Sequence, residues 1–377
     1  MSTLPYSDDI QMAGPWVTED DIAIVTDMLR NGWYGAGAYK YVETFERDFA
    51  KWHDRKHALM TPNCTTSIHL LLDGLGITDG DEVIVPECTW VATAAPVVYQ
   101  RGKPVFADID PETWCICPDS VESKITPKTK AVIAVDLYGN MPEMERLQKI
   151  CDDAGIYLIE DSAESLGSTR NGVRAGKFGV GSVFSFHRTK TITTGEGGVL
   201  LLDNDELFER CKFLRDHGRA PGTYYNTEVT FKYMPSNLQA SLAYAQFQRV
   251  DELVDRKRWI WKTFEKHLSD VPDIQLNAEP DGVYNGVWAP ALVFGKSYGL
   301  EKQDILDKLT AHGLPARPFF YPLSSLPAFA EFTSTGEADS PIAYDISNRG
   351  IHLPCAFTLT EDQIERYSSG IKIALGG

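Results

Sequence analysis

A chain of 377 residues, 43% hydrophobic and 24% charged, has room for a sizeable core and for two domains. Its net charge of -17 argues against general binding to nucleic acid or anionic membranes, since no global field attracts phosphates; an anionic substrate would need a local cluster of Arg, Lys or backbone N–H groups. The 7 cysteines are scattered, and only Cys115 and Cys117 lie close together, so reduced structural thiols and no metal centre are expected.

The opening MSTLPYSDDIQMAG lacks the basic-then-apolar pattern of a secretory signal. No apolar run approaches the roughly 20 residues of a membrane span, and a cytoplasmic protein is expected. Helical spacing of apolar residues marks Thr18–Asn31 and Tyr41–Asp54. NCTTSIHLLLDGLG reads as a helix with a capping Asn and a terminal Gly. EVIVP is a short buried strand, and TWVATAAPVVYQRG a helix interrupted by Pro96. Next come strand PVFADID, strand KAVIAVDLYG, helix MPEMERLQKICDDAG, and strand IYLIEDSAES ending in acids. SVFSF and GVLLLDN are two further strands. This alternation predicts a mostly parallel sheet covered on both faces. A long helix is expected from about Leu238 to Leu268. Beyond it VWAPALVF, EKQDILDKLTAHG, LPARPFFYPLSSLPAF and EDQIERYSSGIKIAL suggest a smaller α+β unit. The expected division is a large α/β domain, 1–250, and a small C-terminal domain, 251–377.

Four clusters fall near strand ends or helix starts, where parallel sheets bind ligands. Asn63-Cys64-Thr65-Thr66 opens a helix, and is either an ordinary cap or an anion site. Asp161 and Glu164 follow an apolar strand, as ligand-facing carboxylates or as a solvated acidic turn. Lys190, near Ser185, sits between apolar strands and before the Gly-rich TTGEGG; it is a surface charge, or an amine held in a pocket as nucleophile or base. Trp90 follows EVIVP, as a core residue or an aromatic stacking face. Together a phosphate cradle, an aromatic face, a carboxylate and a lysine are the parts needed to hold pyridoxal 5′-phosphate.

The segments NCTTSIHLLL, GDEVIVPECTWVATA, PVFADIDPETW, AVDLYGN, LIEDSAESLGS, SFHRTKTITTGEGG and YMPSNLQASLAYAQ, in this order, resemble the DegT/DnrJ/EryC1/StrS pyridoxal-phosphate-dependent sugar aminotransferases. The resemblance implies the aspartate-aminotransferase fold and a homodimer with shared active sites. It makes Lys190 the covalent anchor of the cofactor and the proton carrier. Asp161 becomes the partner of the pyridine nitrogen, Glu164 a contact to the ring hydroxyl, and Trp90 the stacking residue. Cys64, Thr65, Thr66 and Ser185 fall on the phosphate cradle, and Asn237 on an asparagine that reaches the phosphate from the partner subunit. Tyr34, Gly35, Arg219, Arg317 and Tyr321 match segments that line the substrate side. TKTITTGEGG and ARPFFYPLSSLPAF look most like members that aminate C4 of GDP-4-keto-6-deoxy-D-mannose, with L-glutamate as donor. A dTDP-linked 3- or 4-keto sugar, a keto-cyclitol, or a cofactor-binding regulator without turnover are the alternatives. A related branch carries His in place of the lysine and dehydrates C3, so Lys190 favours transamination. Two departures stand out. Cys64 stands where many relatives have Gly, which is tolerable if its φ is not positive. Arg188 puts a bulky cation just before the lysine.

Overall fold

The computed structural model describes residues 9–333 and 336–376. Helix α1 (Glu19–Asn31) begins at a capping box in which Thr18 and Asp21 satisfy each other's backbone amides. Helix α2 (Lys40–Trp52) buries Tyr41, Val42, Phe45 and Phe49 along one stripe. Strand β1 (His57–Thr61) runs into α3 (Cys64–Gly74), where the Asn63 side chain accepts from the Thr66 amide at 2.9 Å. The alternation continues through β2 (Glu82–Pro86), α4 (Ala95–Tyr99), β3 (Lys103–Ala107) and α5 (Pro118–Lys124). Then come β4 (Thr129–Val135), α6 (Met144–Ala154) and β5 (Tyr157–Asp161). After the two-residue strands β6 (Thr169–Arg170) and β7 (Val173–Arg174) follow β8 (Gly181–Ser185), β9 (Gly198–Leu202) and α7 (Asp205–Arg215).

Seven strands form one sheet in the order β1-β9-β8-β5-β4-β2-β3. β8, β5, β4, β2 and β3 are parallel, while β9 is antiparallel to both its neighbours. The runs Val83–Val85 and Ala131–Val135 are buried throughout, as expected of strands covered on both faces. The expected mostly parallel α/β sheet is therefore the sheet observed. Its parallel strands end on one side, where the loops after β2, β4, β5 and β8 meet.

The chain continues through α8 (Asn237–Phe247), α9 (Val250–Leu268), β10 (Ile274–Leu276), β11 (Val283–Tyr284) and β12 (Ala291–Phe294). It ends with α10 (Lys302–Ala311), β13 (Arg317–Pro318), α11 (Pro341–Asn348), β14 (Gly350–His352) and α12 (Glu361–Leu375). A second, antiparallel sheet has the order β10-β12-β14-β13. It packs with α9, α10 and α12 around Ile260, Phe264, Phe294, Ile351, Ile364 and Tyr367. Helix α9 joins two cores. Val250, Leu253 and Val254 at its start pack with Phe45, Phe49 and Phe186, whereas Ile260, Phe264 and Leu268 belong to the second cluster.

Two sequence expectations are corrected. The helix expected across Leu238–Leu268 is two helices, α8 and α9, broken at Gln248 and Arg249. No proline or glycine causes the break. There Arg249 donates to the Trp16 carbonyl at 3.0 Å and lies over the Trp16 ring, tying the N-terminal segment to the joint. The helix expected across TWVATAAPVVYQRG is only the five residues of α4, after turns at 91–94. Pro96 does not interrupt it but sits in its first turn, where its missing N–H costs nothing.

Candidate active site

The site gathers where β5, β4 and β8 end. Asp161 is the last residue of β5 and is only 4% exposed. Its Oδ2 accepts from the Thr93 hydroxyl at 2.8 Å and its Oδ1 from the Ala163 amide at 3.2 Å. Burial pushes the Asp161 carboxyl up to about 6; the Thr93 hydroxyl, the Ala163 amide and the nearby Lys190 hold it down in part. Each of its oxygens keeps lone-pair capacity for one more donor.

Lys190 lies in the turn between β8 and β9. Its backbone amide donates to His187 O at 2.8 Å, and the Arg188 amide closes on Gly195 O at 2.9 Å. Gly195 supplies the left-handed φ of +81° that this turn needs. Lys190 Nζ donates to Glu164 Oε1 at 3.0 Å and sits 3.7 Å above the Trp288 ring centre. The Trp288 indole in turn donates to Thr189 O at 2.8 Å, which fixes the turn against the ring. The other oxygen of Glu164 accepts from the Tyr138 amide at 2.9 Å. Tyr138 holds φ 53° and ψ 23°, a left-handed conformation that costs a non-glycine residue about 1–2 kcal/mol. Its hydroxyl meets His352 Nε2 at 2.7 Å, and burial draws the His352 imidazole down to about 3, so it is neutral.

The residues expected to hold a phosphate surround the start of α3. Cys64 is buried in its first turn and is not among the residues of positive φ, so the Gly-to-Cys departure carries no backbone strain. Burial pushes its thiol pKa well up, and Asp161, Lys190 and Glu164 all act on it, which ties the helix start to the acid cluster. Thr65 and Thr66 are half-buried, and the Thr66 hydroxyl donates to Asn63 O at 2.7 Å. Ser185 ends β8, its hydroxyl accepting from the His187 amide at 3.3 Å. Gly198, opposite Ser185 in the β8–β9 ladder, allows the close approach. A Cβ there would meet Asn63 C and Cys64 N at 2.5 Å. Trp90 is 62% exposed, with Phe320 at 6.3 Å between ring centres, and so is not a core residue.

Other expected residues lie elsewhere or are engaged. Asn237 uses both amide hydrogens within its own chain, donating to Gly32 O and Gly37 O at 3.0 Å each, and accepts from the Tyr41 amide at 3.0 Å. It latches the 32–41 segment to α8. Tyr34 is 90% exposed and Gly35, at φ +63°, faces open space. Arg219 pairs with Asp216 in its own loop. Arg317 is exposed on β13, and Tyr321 lies under Lys302 Nζ at 3.7 Å. Three contacts of the cluster carried no signal of their own in the sequence: Thr93, Trp288 and His352. The Tyr138-Gly139 pair at a strand end, in DLYGN, was the one hint of a special turn.

The residues present fit pyridoxal 5′-phosphate. A buried carboxylate with spare acceptor capacity suits a ring N–H, and an amine on a turn between strands suits the aldehyde. A helix start brought close to the sheet by Gly198 suits the phosphate. Among the described residues no group of His, Cys, Asp and Glu is suited to a metal ion. None of the helices among the described residues is long and apolar enough to cross a membrane.

Residues 15–372 match the DegT/DnrJ/EryC1/StrS aminotransferase family, and the chain belongs to it. It is a pyridoxal-phosphate-dependent aminotransferase. The chain is 36% identical to GDP-perosamine synthase of Vibrio cholerae over 349 residues, 92% of this chain and 94% of that protein. It is 33% identical to L-glutamine:2-deoxy-scyllo-inosose aminotransferase of Streptomyces kanamyceticus, over 84% of this chain and 78% of that one. Among solved structures, the PLP form of the sugar aminotransferase Spr1654 from Streptococcus pneumoniae, itself named as putative, is similar at a TM-score of 0.90 and 25% identity. That match covers 97% of this chain and 98% of the other.

Proposed function

We propose that this chain moves an amino group from L-glutamate to C4 of a 4-keto-6-deoxy sugar nucleotide, GDP-4-keto-6-deoxy-D-mannose, forming GDP-perosamine. The single observation that carries the transamination is the Lys190–Glu164 contact beside buried Asp161. The choice of sugar rests on similarity to the Vibrio cholerae synthase. When bound, pyridoxal 5′-phosphate supplies an electron sink for the carbon that loses its proton. In this reading Asp161 would accept from the protonated pyridine nitrogen as its charged partner, and the Thr93 hydroxyl and Ala163 amide favour that charged form. Lys190 would hold the cofactor's aldehyde carbon, and its amine is placed to take up and return the donor carbon's proton. Glu164, held by the Tyr138 amide, keeps that amine in position. Trp90 offers its open face to the ring, while Cys64, Thr65, Thr66 and Ser185 receive the phosphate. Two chains form a dimer with shared sites. The exposed Trp33, Tyr34, Tyr224 and Tyr225 support an interface on the 33–39 and 219–229 loops. Asn237 then contributes by shaping the first of these loops. The division of domains is placed near residue 250, where α9 starts.

Loaded protein should be yellow and bleach with glutamate, and colour should return with GDP-4-keto-6-deoxy-D-mannose. Lys190→Ala should abolish both changes. Recovery with only a dTDP-linked sugar would sink the GDP assignment. Recovery with only a keto-cyclitol would favour the second reading, which the Streptomyces kanamyceticus relative supports.

A further inference from the structure

Arg188 and Arg317 come from different sheets but border the same place. Arg317 is paired with His352 across the antiparallel β13–β14 ladder, so the two side chains leave the same face. The His352 ring lies 5.7 Å from that of Trp288. Trp288 carries Lys190 on its face and donates to Thr189, the residue after Arg188. A chain of contacts Arg317–His352–Trp288–Thr189–Arg188 thus links the two arginines, with Lys190 Nζ over the ring of its middle member. Both arginines are exposed, and among the described residues neither guanidinium has a hydrogen-bond or carboxylate partner. Between them lies His187, its Nδ1 3.0 Å from Thr189 Oγ1. Burial draws the His187 pKa down, and Lys190, Arg188 and Arg317 add to this, so the three cations share its surroundings.

A chain of net charge -17 repels a dianionic substrate at long range, so it needs local cations at the site. Two guanidinium forks from separate elements suit a group with two charged centres, each taken bidentately. The sugar carbon that reacts must lie at Lys190, which puts the substituent on C1 across the ring, toward the exposed mouth. We propose that Arg188 and Arg317 clamp the diphosphate of the nucleotide-linked substrate, and that they, not the amino donor's site, set the requirement for a nucleotide. This rests on the nucleotide-sugar reading given above.

The test is calorimetric titration of the cofactor-loaded protein with GDP and, separately, with glutarate, a dicarboxylate that has no amine to give. Arg188→Ala and Arg317→Ala should each weaken GDP binding about ten- to hundredfold, the worth of hydrogen bonds to a charged group. Glutarate binding should stay within about twofold, a change of under 0.5 kcal/mol. Arg188→Lys should recover only part of the GDP affinity, since it restores charge without the fork. Wild-type thermal midpoints in the variants show that they fold. Unchanged GDP affinity in both alanine variants overturns the clamp and leaves the nucleotide-sugar reading standing. Equal losses for GDP and glutarate overturn it in favour of a donor-carboxylate site. Wild-type protein that binds neither GDP nor dTDP, yet bleaches with glutamate, removes the nucleotide-sugar reading itself and the clamp with it.

Discussion

Asp161→Asn gives the sharpest test of the site, because it removes a titration without changing shape. In the cofactor-free protein, burial raises the Asp161 carboxyl from 3.8 to about 6. A raised carboxyl favours the folded state while the folded protein keeps a proton that the unfolded chain has lost. That contribution is fully present below about pH 4 and declines as pH rises to about 6, after which nothing further is lost. Roughly two pH units at 1.36 kcal/mol each make about 3 kcal/mol, an order-of-magnitude figure for a fully buried group. Asp136 and Glu160 also have raised carboxyls, Glu160 at about 7 and both chiefly through burial; they are present in both proteins, and the substitution changes only the last and smallest cause acting on Asp136, the charge of Asp161. Thermal midpoints of cofactor-free wild type and Asp161→Asn, compared from pH 4 to pH 7, should therefore diverge by about 5 °C, with the wild type losing ground as pH rises. A difference that stays constant over that range would refute the buried, proton-holding carboxylate. It would also remove the physical basis for assigning Asp161 to a ring nitrogen.

Three further outcomes follow from the same contacts. Thr93→Val deletes the 2.8 Å hydroxyl bond to Asp161 and should raise that carboxyl by about one unit more. Cofactor affinity measured by absorbance should then fall about tenfold, with the KM for glutamate unchanged. Gly198→Ala drives a Cβ to 2.5 Å from the backbone at Asn63 and Cys64, and should cost about 2 kcal/mol or more, read as a lower thermal midpoint and weaker binding of inorganic phosphate. Glu164→Gln strips the charge partner of a lysine whose side chain is 12% exposed, and should cost about 2 kcal/mol in a denaturation midpoint, after discounting for partial exposure. An unchanged midpoint there would mean that the Lys190–Glu164 pair contributes nothing net.

The legible parts of the molecule were those written in local chemistry. Buried strands such as Val83–Val85 are short apolar runs, and the cap at Asn63 announces its helix. Lys190, Asp161 and Glu164 stand out in the sequence because their segments resemble a family, not because any one of them is distinctive, and the structure brings Lys190 and Glu164 into contact. What was missed depends on contacts distant in the chain. Thr93 and Asp161 are 68 residues apart, and Tyr138 and His352 214. The break between α8 and α9 has no local sign either: it holds no proline or glycine, and the contact found there is of Arg249 with Trp16, 233 positions away. The segment around Asn237 cannot show that both of its amide hydrogens are taken by Gly32 and Gly37.

Tyr138 shows why these distant contacts matter to the chemistry. Its left-handed backbone is a cost, and a cost at one residue persists only where the surroundings fix it. Here its amide is aimed at Glu164, which in turn holds Lys190. Its hydroxyl meets His352 on β14, the residue paired with Arg317. Phe319, Phe320 and Trp114 pack around its ring. One strained residue just after β4 therefore holds the acid beside the Lys190 amine and, through its side chain, contacts the second sheet. Tyr138→Phe separates the two links, because it keeps the backbone and deletes only the hydroxyl. The buried His352 Nε2 then loses its partner, at a cost of about 1–3 kcal/mol. Glutamate should still bleach the protein at close to the wild-type rate, since the amide still holds Glu164. The reaction of the sugar nucleotide should slow, since His352, the ladder partner of Arg317, has lost its anchor to Tyr138. Equal slowing of both halves would show that the hydroxyl serves the amine site directly, and that the second sheet is not positioned through Tyr138.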